Sequence, residues 1–154
     1  MNHYYTDEIN TLVLVSLLKE HNIKKIIASP GTTNISFVGS VQFDPYFEVY
    51  SAVDERAAAF MACGLAEESG EPVVLTCTGA TASRNYIPGL TEAYYRHLPV
   101  LAVTSTQHTG RVGNYVAQVI DRSEQFPDMA KKSIQLPTVY SEEDKQHTIT
   151  AVND

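Results

Sequence analysis

Residues 55–79, ERAAAFMACGLAEESGEPVVLTCTG, decide the fold. Glu55–Ser69 is rich in alanine, the strongest helix former, and Gly70 stands where a helix end favours left-handed backbone. Pro72–Gly79 follows as an unbroken apolar run, the pattern of a strand buried on both faces of a parallel sheet. A helix leading through a short turn into a buried strand is one half of a βαβ unit.

The same alternation extends in both directions. Upstream, Thr6 is placed as an N-cap, with Asp7 and Glu8 favourable at the positive helix end. Ile9–Glu20 carries apolar residues at helical spacing. KKIIASPG is a short strand ending at Pro30-Gly31, Asn34–Val41 a short helix and Phe47–Asp54 a strand. Downstream, Ala82–His97 is helical in pattern, kinked or divided by Pro88-Gly89. Pro99–Ser105 reads as another buried strand. Weaker signals predict a loop over Gln107–Asn114, a helical piece near Tyr115–Asp121, a strand over Ser133–Val139 and a last helix from Ser141. Strands alternating with helices require right-handed crossovers, hence a doubly wound, three-layer α/β/α domain with a mainly parallel sheet.

Composition sets the frame. The 154 residues are 44% hydrophobic and 19% charged, enough for one domain with a core that needs no disulfide or metal staple. Eleven basic against 18 acidic residues give a net charge of -7, which argues against nucleic acid or an anionic membrane as partner. Cys63 and Cys77 lie in apolar runs and form no CxxC pair, so they read as buried reduced thiols. MNHYYTDEIN has no basic segment leading into an apolar stretch, and no apolar run reaches membrane-span length. A cytoplasmic location is expected.

In doubly wound sheets ligands bind beyond the carboxyl ends of the strands. The loops to watch are therefore Ser29–Asn34, Asp54–Arg56, Cys77–Arg84 and Thr104–Gly113. The first, Ser-Pro-Gly-Thr-Thr-Asn, can offer backbone N–H groups and hydroxyls to a ligand, or be a sharp turn capped by Asn34. The third, CTGATASR, is neither a GxGxxG fingerprint nor a P-loop, so nucleotide binding is not supported. Glu55 is the most telling residue. At the opening of a helix its carboxylate either pairs with the helix dipole or points into the cleft.

The run VDERAAAFMACGLAEESGEPVVLTCTGATASRNYIPGLTEAYYRHLPVLAVTST, residues 53–106, resembles the pyrimidine-binding domain of thiamine-diphosphate-dependent decarboxylases and carboligases. In that family a strand ends in glutamate, an alanine-rich helix follows, and a buried strand leads into a glycine turn and another helix. The upstream SPGTTN matches the family's Pro-Gly turn, and the resemblance runs from about Thr6 to the end. The usual Gly-Pro-Gly-Ala-Thr-Asn turn lacks its proline here, reading Thr78-Gly79-Ala80-Thr81-Ala82-Ser83-Arg84-Asn85.

The resemblance implies thiamine diphosphate as cofactor, with Glu55 hydrogen-bonding the pyrimidine and promoting the imino tautomer that generates the C2 carbanion. It implies cofactor contacts from Pro30, Gly31, Thr32, Thr78, Gly79 and Gln118. Gln118 lies in AQVID, similar to the Asn-Gln-x-x-Asp stretch of the menaquinone-pathway carboligase. Three weaker substrate candidates are His108, where some decarboxylases carry a His-His pair, and Arg84 and Arg111, whose fork suits a carboxylate. This chain is expected to contain no metal ligands of its own. Mg²⁺ and the diphosphate belong to a separate domain carrying Gly-Asp-Gly, a motif this sequence lacks.

The implied protein is thus half of a thiamine-diphosphate-dependent lyase or transferase acting on a small 2-oxo acid. The isolated chain is expected to be inactive and to need a diphosphate-binding domain, in trans or in a further part of the chain, within a homodimer or higher oligomer. The alternative is a non-catalytic α/β binding or interaction module that keeps only the fold. SEEDKQHTITAVND opens the last helix, and the family's closing strand is not reached. A domain cut inside that helix is therefore expected over residues 1–154.

Overall fold

The computed structural model describes residues 4–153. Four parallel strands form the sheet: β1 (Lys25–Ala28), β2 (Glu48–Ser51), β3 (Val73–Cys77) and β4 (Val100–Thr104), in the order β2-β1-β3-β4. The helices are α1 (Ile9–Glu20), α2 (Ile35–Gln42), α3 (Glu55–Ser69), α4 (Thr81–Arg84), α5 (Ile87–Arg96) and α6 (Glu142–Asn153). The chain winds from β1 outward to β2, then returns across β1 to β3 and β4. The switch point therefore lies between β1 and β3.

The alternation of side chains along β1 and β3 builds two cores. Ile27, Val73, Leu75 and Cys77 face α3, whose Ala58, Ala59, Ala62 and Ala66 let the helix approach closely. Ile26 and Val74 point to the other face, onto Leu14, Val15 and Leu18 of α1 and Phe37 and Val41 of α2. Every residue of β3 is buried, as a central parallel strand requires. This is the doubly wound, three-layer arrangement expected from the sequence.

The details depart from expectation at five places. Thr6 does not cap α1: Glu8 occupies that position, and the Thr6 hydroxyl accepts instead from the Glu8 N–H at 3.2 Å. The break in 82–97 falls at Asn85-Tyr86, ahead of Pro88. Proline in the first turn of α5 forfeits no helical hydrogen bond. Gly89 then seats α5 on α3, where a Cβ would lie 2.5 Å from Ala59 Cβ. β4 is an edge strand and is not buried: Leu101 is 40% exposed and faces a wide groove lined also by Val103, Met129 and Leu136. Residues 115–121 form turns and irregular chain in place of a helix, and 133–139 form no strand.

The predicted last helix is present as α6. Ser141 and Asp144 cap it reciprocally, the Asp144 N–H donating to Ser141 Oγ at 3.1 Å and the Ser141 N–H to Asp144 Oδ2 at 3.0 Å. It packs on α1, with Thr148 fully buried. Asp154 lies outside the described residues.

Candidate functional site at the switch point

Because all four strands are parallel, the four loops singled out from sequence emerge at one edge of the sheet. Loop 29–34 is held from within. Buried Asn34 accepts from the Gly31 N–H at 2.8 Å and donates to the Ser29 carbonyl at 3.2 Å, while Ser29 Oγ donates to the Ala52 carbonyl at 2.7 Å. Asn34 thus does the structural work of a tie, leaving Pro30 and Thr32 exposed. Gly31 touches the next loop directly, since a Cβ there would stand 2.3 Å from Thr78 Cγ2. Thr33 Oγ1 and Ser105 Oγ share a 2.8 Å hydrogen bond, which joins this loop to the one after β4.

Glu55 is the first residue of α3. Its neighbour Asp54 performs the capping, accepting from the Ala57 N–H at 2.7 Å, so the glutamate is not needed for that task. Glu55 is half-buried, and among the described residues no side chain hydrogen-bonds or ion-pairs with its carboxylate. Its charge is felt by Cys77 and Tyr86 across the end of the sheet. Burial pushes the Cys77 thiol up to about 11, with the Glu55 carboxylate adding to the rise. Burial likewise drives the Tyr86 phenol far above its ordinary value, with Cys77 and Glu55 contributing.

Tyr86 is only 1% exposed, and among the described residues its hydroxyl makes no hydrogen bond of good geometry. Although Ser29 and Cys77 are close, each donates elsewhere: Ser29 to Ala52, and the Cys77 thiol to the Thr78 carbonyl at 3.0 Å. A half-buried free carboxylate beside a buried unpaired hydroxyl is a donor and acceptor set with its own hydrogen bonds still to make.

A second cluster lies on the β4 side of the same edge. Gly79, Thr33, Ser105, Gln118 and Arg122 line one small pocket. Gly79 has room for no side chain, since a Cβ would lie 2.4 Å from the Ser105 carbonyl oxygen. Exposed Gln118 reaches this pocket through a turn with φ +59. Three candidates are engaged elsewhere. Arg84 is exposed and donates to the Asp121 carbonyl at 2.8 Å, Arg111 is exposed and donates to Gln107 Oε1 at 2.7 Å, and His108 Nδ1 accepts from the Gly110 N–H at 3.0 Å.

Tyr86, Ser105 and Arg122 escaped the sequence reading. Tyr86 could have been flagged by standing just before Ile87-Pro88, the start of α5. Nothing local distinguishes Arg122, because only the tertiary fold carries it into the cleft.

The geometry defines a doubly wound α/β domain whose strand-end loops carry a free carboxylate, Glu55, after β2 and a glycine turn, Gly79, after β3. Residues 11–125 match the family of thiamine pyrophosphate enzymes, N-terminal TPP binding domain, and the chain belongs to that family. Among curated relatives, the 2-succinyl-5-enolpyruvyl-6-hydroxy-3-cyclohexene-1-carboxylate synthase of Bacteroides thetaiotaomicron is 35% identical over 97% of this chain and 27% of its own length. The synthase of the same name from Porphyromonas gingivalis is 44% identical over 68% of this chain and 18% of its own. The chain thus spans about a quarter or less of the length of these relatives.

Solved structures carry the same fold. A thiamine diphosphate-dependent 4-hydroxybenzoylformate decarboxylase from Rhodococcus jostii RHA1 superposes with a TM-score of 0.66 at 22% identity, over 74% of this chain and 21% of that one. Benzoylformate decarboxylase from Polynucleobacter necessarius gives 0.63 at 20% identity, over 71% and 20%.

Proposed function

We propose that this chain is the pyrimidine-binding half of a thiamine-diphosphate-dependent 2-oxo acid decarboxylase or carboligase, its curated relatives being named as synthases. The observation that carries this reading is Glu55: a half-buried carboxylate at the end of β2, relieved of capping by Asp54 and without a partner among the described residues. Such a group is suited to hydrogen-bond a ring nitrogen of an aminopyrimidine. Partial burial strengthens that bond, because the surrounding medium screens it less than water does.

Thiamine diphosphate supplies, when bound, an electron sink for making or breaking a bond beside a carbonyl. The chain's own residues bind and orient. Glu55 would hold the pyrimidine through a shared proton, the loop Pro30-Gly31-Thr32 and the backbone at Thr78-Gly79 would wall the ring, and Gln118 would border the space beyond. Gly31 and Gly79 keep that space narrow by admitting no side chain of their own.

The remaining parts belong to the same proposal. A diphosphate-binding domain, in trans or elsewhere in the full-length protein, holds Mg²⁺ and the diphosphate. The active site forms between the two domains in a homodimer or higher oligomer, in the cytoplasm. The test is 2-oxo acid turnover by the full-length protein with Glu55→Gln: a loss of about a hundredfold or more is expected for a residue that moves or holds a proton at the reacting group. Unchanged turnover would leave the alternative, a module that keeps only the fold.

A further inference from the structure

Arg122 is a half-buried guanidinium that no carboxylate answers among the described residues. Its Nη1 donates to Thr104 Oγ1 at 2.6 Å and its Nη2 to the Ser105 carbonyl at 3.1 Å, both neutral acceptors at the end of β4. Among the described residues it forms no ion pair. The adjacent Asp121 is turned away, its carboxylate accepting from the Ser123 N–H and hydroxyl at 2.9 and 2.6 Å. Burial lowers the guanidinium's proton affinity, the charge of Arg84 lowers it further, and the Cys77 thiol opposes both. A cation drawn out of water among neutral groups, with a second cation near it, is a costly arrangement unless an anion completes it.

We propose that Arg122 binds a substrate carboxylate. Five N–H donors leave three after Thr104 and Ser105 are served, enough for a planar, two-oxygen acceptor. The two occupied bonds fix the guanidinium plane, so the fork is oriented before the ligand arrives. Gly79 makes the placement possible: a Cβ there would come within 3.3 Å of Arg122 Nη2. Thr33 and Gln118 share the pocket and can add neutral hydrogen bonds to the same group. The other arginine candidates offer less, since Arg84 and Arg111 are exposed and engaged at their own loops.

This assignment rests on the thiamine reading for the ligand's being a substrate, but not for the binding itself. The test is isothermal titration of the full-length protein with glutarate, a simple dicarboxylate, and separately with inorganic phosphate. Parent protein and Arg96→Gln, a surface salt-bridge control, are expected to bind glutarate alike. Arg122→Gln is expected to weaken the glutarate Kd about tenfold or more. Arg122→Lys, which keeps the charge and loses the fork, is expected to fall between the two and covers the case in which the glutamine variant misfolds.

A glutarate Kd unchanged in Arg122→Lys and Arg122→Gln would overturn the proposal. Phosphate binding tighter than glutarate at Arg122 would overturn its carboxylate class. Glu55→Gln separates the two readings. It is expected to lower turnover about a hundredfold or more and leave the glutarate Kd unchanged, whereas turnover equal to the parent's would defeat the thiamine reading whatever Arg122 does.

Discussion

Gly31 and Thr78 meet across the switch point so closely that a Cβ on Gly31 would stand 2.3 Å from Thr78 Cγ2. The contact joins the loops after β1 and β3, the two strands between which the winding reverses.

Gly31→Ala is therefore expected to lower stability by about 1–2 kcal/mol, the usual range for overpacking. Thr78→Ser, which removes the opposing methyl, should restore most of it in the double variant. Gly79→Ala meets the Ser105 carbonyl oxygen at 2.4 Å, a backbone atom that cannot rotate away. Its loss should be larger, about 2–3 kcal/mol. Urea midpoints rank the variants; a Gly79→Ala as mild as Gly31→Ala would contradict the geometry.

Asp44 gives the fold its acid sensitivity. Burial tends to raise its carboxyl, but hydrogen bonds from Lys19, Tyr5 and the Tyr46 N–H outweigh this and hold it below the ordinary 3.8. A depressed carboxylate contributes stability that is present above the unfolded value and is lost as pH falls through the lower folded one. Asp44→Asn should be less stable than the parent at pH 6 by about 1.5–3 kcal/mol, as for hydrogen bonds to a charged group. That gap should close in acid below the carboxylate range. A difference that stays constant with pH would disprove the assignment.

Cys77 acts at the other end of the pH scale. Its thiol is raised from 9.0 to about 11, so between those values the folded state holds a proton that the unfolded chain releases. Stability should therefore fall as pH climbs from 9 toward 11. Cys77→Ala should flatten that slope. Native protein at pH 8 should also resist iodoacetamide at Cys63 and Cys77, both buried. Rapid labelling of either thiol without unfolding would contradict their burial.

How much of this was legible beforehand divides along a physical line. The helix Glu55–Ser69, its Gly70 cap and the strand expected over Pro72–Gly79 follow from local propensity and apolar pattern; the structure gives the helix the same bounds and the strand Val73–Cys77, within two residues of expectation. Leu101 shows where such reading stops. VLAVT has the composition of a buried strand, yet its exposure depends on its being at the sheet edge, a fact of topology. Residues 115–121 and 133–139 carried weak periodicity, and the structure gives them neither helix nor strand. At the site, Glu55 was marked by its place at a strand end. The burial of Arg122 and the closeness of Gly79 to Ser105 arise from segments far apart in sequence, which no local pattern encodes.

Tyr86 offers a test of polar accounting in the core. Among the described residues its hydroxyl is buried without a hydrogen bond of good geometry, so Tyr86→Phe removes a desolvated group and leaves the ring in place. The variant should be as stable as the parent or more stable by about 1 kcal/mol, since an unsatisfied buried polar group costs roughly 1–3 kcal/mol. Thermal unfolding decides it, and a loss above about 2 kcal/mol would show that the hydroxyl is bonded after all.

The central claim is that the Glu55 carboxylate serves a cofactor ring, and its most direct test is Glu55→Gln in the full-length protein, assayed for 2-oxo acid turnover with thiamine diphosphate and Mg²⁺ supplied. Asp54 retains the helix cap, so the urea midpoint should stay within about 0.5 kcal/mol of the parent, as for a substitution outside the core. The account predicts turnover reduced about a hundredfold or more at that unchanged stability. Turnover equal to the parent's would contradict it.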